Sequence, residues 1–325
     1  MRFQHNPQYS GFAVALAWPE TYCKQAGSWY DLITGMLGIS KNHHYKAGHA
    51  ALLLVNKSDG KCHYFDFGRY HAPYKHGRVR NALTDKGLTV KTEAKISHDG
   101  VMIENFKDII TELQHNPECH GDGKIFASYC MIDFNKAYEK AISLQDLSPL
   151  PYGPFIYNGT NCSRFVCSCI LAGNPDLKSR LGLKYLVPLT PTPLSNVNAL
   201  KNRVIIRDLR TNDHSNHLKL NGRVMLNSTL PEYHKPANVP VNAKWLSGEG
   251  AGSWFAIEKK ADNYLIRRFG PDGMLECEDL FLIINKELLD LTKSFRLDHL
   301  SHCKKVKIIQ EGKEINLLNI RFCQS

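Results

Sequence analysis

"GHAALLLVNKSDGKCHYFDFG" (residues 48–68) holds an apolar run, a polar turn and an alternating run in sequence. Residues 48–55 are almost continuously apolar, as in a buried strand. "NKSDG" (56–60) supplies turn chemistry, and "CHYFDFGRY" (62–70) places aromatic residues at every second or third position. Strand, turn and strand make a hairpin. If Asn56 faces Lys61 across the turn, His49 falls opposite Gly68. Asp66 then lies one diagonal step from His49 on the same face, within side-chain reach. His63 points to the other face, and a slip of one residue would reverse the assignment.

Working outward, "GFAVALAWP" (11–19) reads as a second buried strand, stopped by Pro19. "SWYDLITGMLGI" (28–39) reads as a short helix, with Trp29, Leu32, Ile33, Met36 and Leu37 at helical spacing. "IENFKDIITELQHN" (103–116) is a helix by the spacing of Ile103, Phe106, Ile110 and Leu113. "DFNKAYEKAISL" (133–144) is another, with Asp133 placed to cap it. The Pro, Gly and Asn content of "PLPYGPFIYNGTN" (149–161) gives a loop, and from Cys162 to about Ala172 a helical stripe follows. "VPLTPTPLSNVN" (187–198) has three prolines and no charge and reads as a linker.

Beyond it the pattern changes to short strands, "RVIIRDL" (203–209), "SWFAIEKK" (253–260), "NYLIRRF" (263–269) and "KKVKIIQ" (304–310), with one helix near "KELLDLTKSF" (286–295). The expectation is an α+β chain of two domains: residues 1–190, an antiparallel sheet with packed helices, and residues 200–325, smaller and β-rich. "SGEGAG" (247–252), between Trp245 and Trp254, reads as a flexible hairpin connection, with a substrate-facing loop as the alternative. It lacks the strand–loop–helix context of a dinucleotide site.

Three cysteines, Cys162, Cys167 and Cys169, fall within eight positions of "NGTNCSRFVCSCILAG" (158–173). Their gaps do not match paired zinc-ligand spacing, so no metal is expected. Cys167 and Cys169 sit inside the apolar helix as small hydrophobes. Cys162 follows a loop and opens the helix, where free N–H groups and positive partial charge favour a thiolate. Such a nucleophile needs a base, and His49, at the head of a buried strand, is the best candidate. Asp66 would orient the ring, with a solvated carboxylate as the plainer reading. Cys23, in "ETYCKQAGSWYD", is a competing nucleophile.

A His heading a strand, a second strand with a polar residue, a helix, a Pro-Tyr-Gly loop and Asn-Cys opening a helix resemble the circularly permuted papain-like thiol hydrolases. That superfamily includes NlpC-type amidases, YiiX-like proteins and lecithin:retinol acyltransferase-like enzymes. The stretches that carry the likeness are "GHAALLLV", "YFDFG", "KAYEKAISL", "PYGPF" and "NCSRFV", across roughly residues 11–175. The whole chain is also similar to a bacterial family with an "AWPET…GHAALL…YFDFGRY…GTNC" layout. The resemblance implies a permuted papain-like first domain, Cys162 as nucleophile, His49 as base and Asp66 as the third residue, with Tyr64 or His63 as substitutes. It implies a thioester route to cleavage or transfer of an amide or ester. The long insertion around residues 71–125 departs from the pattern. Asn161 and Tyr157 are the candidates for the second oxyanion donor. Arg69, Arg78, Arg80 and Arg164 are candidates for holding a substrate carboxylate or phosphate.

Composition sets the remaining bounds. At 43% hydrophobic and 22% charged, the chain folds rather than staying disordered. The apolar stretch Phe12–Trp18 is short and "AWPET" is a poor cleavage site, so the expectation is a cytoplasmic protein with reduced cysteines and no membrane span. Net charge is +10, densest in "KHGRVR" (75–80) and "HCKKVK" (302–307). Nucleic-acid binding is a third-ranked reading, because no recognised motif accompanies the charge. The expected partner is a peptide, a peptidoglycan fragment or a lipid acyl group, with no cofactor. A papain-like module that binds without catalysis is the second reading. The oligomeric state is left open.

Overall fold

The computed structural model describes residues 9–24, 40–41, 44–45, 47–207 and 229–323. The helix expected at residues 28–39 lies outside them. The first strand, β1, is Gly11–Trp18. Three two-residue strands follow, β2 (Cys23–Lys24), β3 (Ser40–Lys41) and β4 (His44–Tyr45), paired among themselves. Then come β5 (His49–Asn56), β6 (Cys62–Gly68), β7 (His76–Arg80), α1 (Phe106–His115), β8 (Ile125–Ile132), α2 (Phe134–Asp146) and β9 (Leu150–Pro151). Helices α3 (Cys162–Ala172), α4 (Leu177–Tyr185) and α5 (Pro193–Asn198) precede β10 (Lys201–Ile206). Among the described residues these strands form a seven-stranded antiparallel sheet in the order β10-β8-β1-β5-β6-β7-β9.

Both faces of this sheet are covered, which is why β1 and β5 read as unbroken apolar runs. On one face Ala13, Ala15, Ala17, Ala50, Leu52 and Phe65 pack against Phe134 and Ala137 of α2 and Phe165, Val166 and Cys169 of α3. The alanines are small enough for helices to sit close to the strands. On the other face Phe12, Val14, Leu16, Leu53 and Tyr64 meet Phe106, Ile109, Ile110 and Leu113 of α1. The hairpin register is the expected one: Ala51 pairs with Asp66 and Leu52 with Phe65. Asp133 caps α2 by accepting from the Lys136 N–H.

A second antiparallel sheet lies in the C-terminal part, in the order β11-β12-β13-β14-β17-β16-β15 among the described residues. Its strands are β11 (Lys244–Leu246), β12 (Ser253–Lys260), β13 (Asn263–Phe269), β14 (Leu275–Ile283), β15 (Arg296–Leu297), β16 (Lys305–Gln310) and β17 (Lys313–Asn319). Phe255, Ile257, Ile266, Phe281, Val306 and Leu317 form its core. The chain is thus α+β: an antiparallel sheet with packed helices, then a β-rich part.

Three expectations are corrected. Residues 187–198 are not a bare linker. Pro193 starts α5, Thr192 and Ser195 form a reciprocal capping box, and Asn196 donates to the Ser163 carbonyl at 2.8 Å. β10, which the sequence pattern groups with the later strands, pairs with β8 at the edge of the first sheet. No helix forms at 286–295. There Gln310 of β16 accepts from the Asp290 N–H and donates to its carbonyl, so side chains satisfy the backbone and Leu289 is drawn into the core.

Phe165 is fully buried where α3 meets the sheet. Phe165→Ala is expected to cost about 3–5 kcal/mol, measured by urea denaturation of the full chain.

Candidate functional site

Gly48 enters β5 with φ +74°, and a Cβ there would sit 3.0 Å from the Pro19 Cα. That close passage sets His49 at the first position of the strand, opposite Trp18 of β1. His49 shares the strand parity of Ala51 and Leu53, whose side chains belong to the α1-side core, whereas Cys162 belongs to the α3-side core. The two meet around the end of the strand, where the start of α3 reaches it.

The His49 ring and the Ala50 N–H stand close enough to the Cys162 thiol to lower it, and Ser163 Oγ is 3.9 Å from its sulfur. Asn161 caps α3, its side-chain oxygen accepting from the Arg164 N–H at 2.8 Å. Arg164 in turn donates to the Pro154 carbonyl at 2.6 Å and ties down the preceding loop.

His49 Nε2 lies 3.7 Å from Asp66 Oδ2. That is an ion-pair contact, longer than a hydrogen bond. Asp66 is fully buried and is held from several sides. Arg80, its cross-strand partner on β7, donates from Nε to Oδ1 at 3.0 Å and from Nη2 to Oδ2 at 2.6 Å. The Tyr64 hydroxyl donates to Oδ2 at 3.3 Å. Arg80 also donates to the Glu118 carbonyl and lies 3.6 Å from the centre of the Tyr70 ring. Trp18 stacks on the imidazole, with centroids 5.8 Å apart, and its indole N–H donates to Gln114 at 3.0 Å.

These contacts set the charge states. Burial opposes charge on His49, but Asp66 and Cys162 more than offset it and bring the imidazole up to about 9. Burial also opposes the Cys162 thiolate, yet the His49 hydrogen bond and charge leave that thiol below its ordinary value. Asp66 resists the same burial penalty through Arg80 and His49 and stays well below the usual carboxylate range. The two shifts run in opposite senses, the thiol down and the imidazole up, as they do where each stabilises the other's charged form. Cys167 and Cys169 behave oppositely: burial pushes them up to about 11 and about 12.

The structure thus brings Cys162, His49 and Asp66 together. Tyr64 supports Asp66 rather than replacing it, and His63 packs on Phe134 and Tyr138 away from the pair. Cys23 sits beside the site, its sulfur 3.7 Å from the Gly48 carbonyl oxygen, but burial pushes its thiol up to about 12, unlike a nucleophile. Tyr157 is 90% exposed, and the Asn161 oxygen is committed to its cap.

The arginines are committed too. Arg69 pairs with Glu249 at 2.5 Å, and Arg78 grips Asp85 at 2.8 and 2.9 Å. Arg78 and Arg80 of the basic stretch 75–80 are therefore spent inside the protein. Sequence reasoning missed Trp18 and misassigned Arg80. The alternation of "HGRVR" (76–80) was the available signal, because it puts two arginines on one face of a strand.

Among the described residues no group of three or more His, Cys, Asp or Glu is placed to hold a metal ion. None of their helices is long and apolar enough to cross a membrane. A surface depression of about 410 Å³, lined by Ser10, Asn56, Lys57, Ser58, Phe134 and Asn135, opens at the far end of β5 from His49 and contains none of the site groups.

Comparison with known proteins gives two family matches. The model for TseH-like type VI secretion system effectors matches residues 13–179, and that for the DUF6695 C-terminal domain matches residues 243–320. A crystal structure of the type VI secretion system effector TseH aligns at 19% identity and a TM-score of 0.41, covering 61% of this chain and 92% of that one. No curated protein matches.

Two outcomes are expected of this geometry. Cys162 should be alkylated rapidly at pH 7, with a rate that rises through a pKa below the ordinary thiol value. His49→Ala should slow it at least ~10-fold at that pH, because burial then sets the thiol alone. Rate against pH, followed by peptide mapping, checks this, and coincident profiles would count against the ion pair. Asp66→Asn should destabilise the fold by about 3–5 kcal/mol, since Arg80 is left buried without its counter-charge. The folded-state Asp66 pKa is depressed, so its stabilisation is complete above about pH 4 and is lost as the pH falls. Thermal unfolding of wild type and variant from pH 7 down to pH 3 should show the difference shrinking.

Proposed function

This chain belongs to the family of TseH-like type VI secretion system effectors, and on that premise we propose that it is a Cys-His thiol hydrolase or acyltransferase. It acts on an amide or ester bond through a thioester on Cys162, in a domain of permuted papain-like order in which His49 precedes Cys162. The observation that carries this reading is the buried Cys162 thiol, held below its ordinary pKa against the His49 ring, which Asp66 faces.

His49 carries the thiol proton as an imidazolium. The Cys162 thiolate attacks the carbonyl carbon, forming an S–C bond and an oxyanion. The Cys162 backbone N–H, at the start of α3, would help hold that oxyanion. His49 returns the proton to the leaving amine or alcohol as the C–N or C–O bond breaks. Water, or an acceptor hydroxyl or amine, then resolves the thioester. Asp66 keeps the ring oriented and stabilises its charge. The substrate class is a peptide, a peptidoglycan fragment or a lipid acyl group. As a secretion-system effector the protein would be made in the cytoplasm and act where it is delivered.

A second reading draws support from burial. Cys162 is 8% and His49 7% exposed, which suits a papain-like scaffold that binds a peptide or lipid without turning it over.

Incubation with peptidoglycan fragments, peptide amides and aryl acyl esters separates the two. The hydrolase reading expects product release and an acyl adduct on Cys162 by mass spectrometry. Cys162→Ala should abolish the adduct and lower turnover by ~10³-fold or more. Binding without turnover, together with equal slow labelling of all thiols, would favour the second reading. Turnover that persists in Cys162→Ala would exclude the Cys162 mechanism.

A further inference from the structure

The loop 247–252, "SGEGAG", joins β11 to β12 of the second sheet, yet it is docked on the first domain. Glu249 is 2% exposed, and its carboxylate takes Arg69 Nη1 at 2.5 Å and the Lys75 N–H at 2.9 Å. The backbones of the two segments also pair. Gly250 N–H donates to the Arg69 carbonyl at 2.7 Å, Glu249 N–H to the Ala72 carbonyl at 3.2 Å, and His71 N–H to the Ala251 carbonyl at 3.4 Å. Tyr70 and Ala251 form a parallel bridge, and His71 Nε2 is 2.7 Å from Ser253 Oγ. Residues 69–72 are therefore fixed by the second domain.

That short segment carries Tyr70, whose ring lies over Gly68 and against the Arg80 guanidinium. Arg80 is the fork that holds Asp66, and Asp66 faces His49. We propose that the 247–252 loop is a positioning element of the Cys162–His49 site, acting through Tyr70 and Arg80 on Asp66. The proposal rests on the thiol-nucleophile reading of Cys162 and gives the second domain a role in that chemistry. A cation over an aromatic face is favoured most when it is desolvated, so the position of the Tyr70 ring governs where the buried Arg80 charge sits. A displaced ring lets the fork rotate, and Asp66 then no longer holds the imidazolium that stabilises the thiolate.

The titratable and charged groups around the pair come from several elements. Among the described residues they are Asp66 of β6, Arg80 of β7, Cys23 of β2, Arg69 and Tyr70 of the docked segment, and His120 and Asp122 before β8. Only Tyr70 and Arg69 of these are in the segment that the loop fixes.

The test uses the full chain and the pH profile of Cys162 alkylation by iodoacetamide. Gly248→Ala places a methyl group 2.5 Å from the His71 Cα and N and pushes the loop off the segment. Glu249→Gln removes the counter-charge of Arg69 at constant size, and Gly68→Ala displaces the Tyr70 ring from within the first domain. Folding of each is checked by thermal unfolding, and any one folded variant of the loop suffices.

The expected result is an acid limb moved to higher pH in the loop variants and in Gly68→Ala alike, with alkylation at pH 6 slowed roughly three- to ten-fold. Lys86→Ala breaks a different contact between the domains, the ion pair with Asp279, and should leave the profile unchanged. Folded loop variants with the wild-type profile would overturn the proposal, and so would an equal shift in Lys86→Ala, which would mean general loosening. An ordinary thiol profile in the wild type would overturn both the proposal and the thiol-nucleophile reading beneath it.

Discussion

Asp66 and Arg80 place a full ion pair between two strands of a sheet that is covered on both faces. Each charge pays a desolvation cost of several kcal/mol on leaving water, and attraction alone offsets it only when the geometry is good and the remaining polar atoms are satisfied. Here both conditions hold. The guanidinium fork meets the carboxylate with two parallel bonds, Tyr64 takes a further lone pair, and the Glu118 carbonyl and Tyr70 ring use the rest of the Arg80 cation. The consequence is a carboxylate that stays ionised inside the protein. His49 faces it and, despite burial, holds its proton to about pH 9. The state of the Cys162 thiol follows from that proton.

The same economy explains the architecture around the site. Alanines on one face of β1 and β5 bring α3 close to the sheet, so its first turn arrives at the end of β5. Asn161 ends the loop with a cap, and Asn196 of α5 holds the Ser163 carbonyl from behind. The arginines that a sequence reader would offer to substrate are used internally. Arg78 joins Asp85, which also binds Arg268 of β13 at 3.0 Å, so a second buried charge cluster runs between the two sheets.

Much of this is legible in the sequence. The polar turn of residues 56–60 fixed the hairpin register, and with it the relation of His49 to Asp66, because side chains alternate with a period of two. The loop-to-helix change at Asn161-Cys162 set Cys162 apart from Cys167 and Cys169. What misled was composition without context. The prolines of 187–198 suggested a linker, although Pro193 stands at the first position of a helix, where its missing N–H costs nothing. The apolar spacing of 286–295 suggested a helix, but Gln310 and the sheet core offered that backbone better partners.

The sequence by itself determined which local groups exist: a strand headed by histidine, a carboxylate at a paired position, a thiol opening a helix. Local pattern suffices for these, because propensity, turn chemistry and alternation act over a few residues. Only the tertiary structure decided what Arg80, Trp18, Tyr70 and the "SGEGAG" loop do. For Arg80, Trp18 and the loop the partners lie 14, 96 and 180 positions away in the chain. A charged side chain reads identically in sequence whether it will be solvated or buried against a counter-charge, and that choice is made by the packing of distant elements.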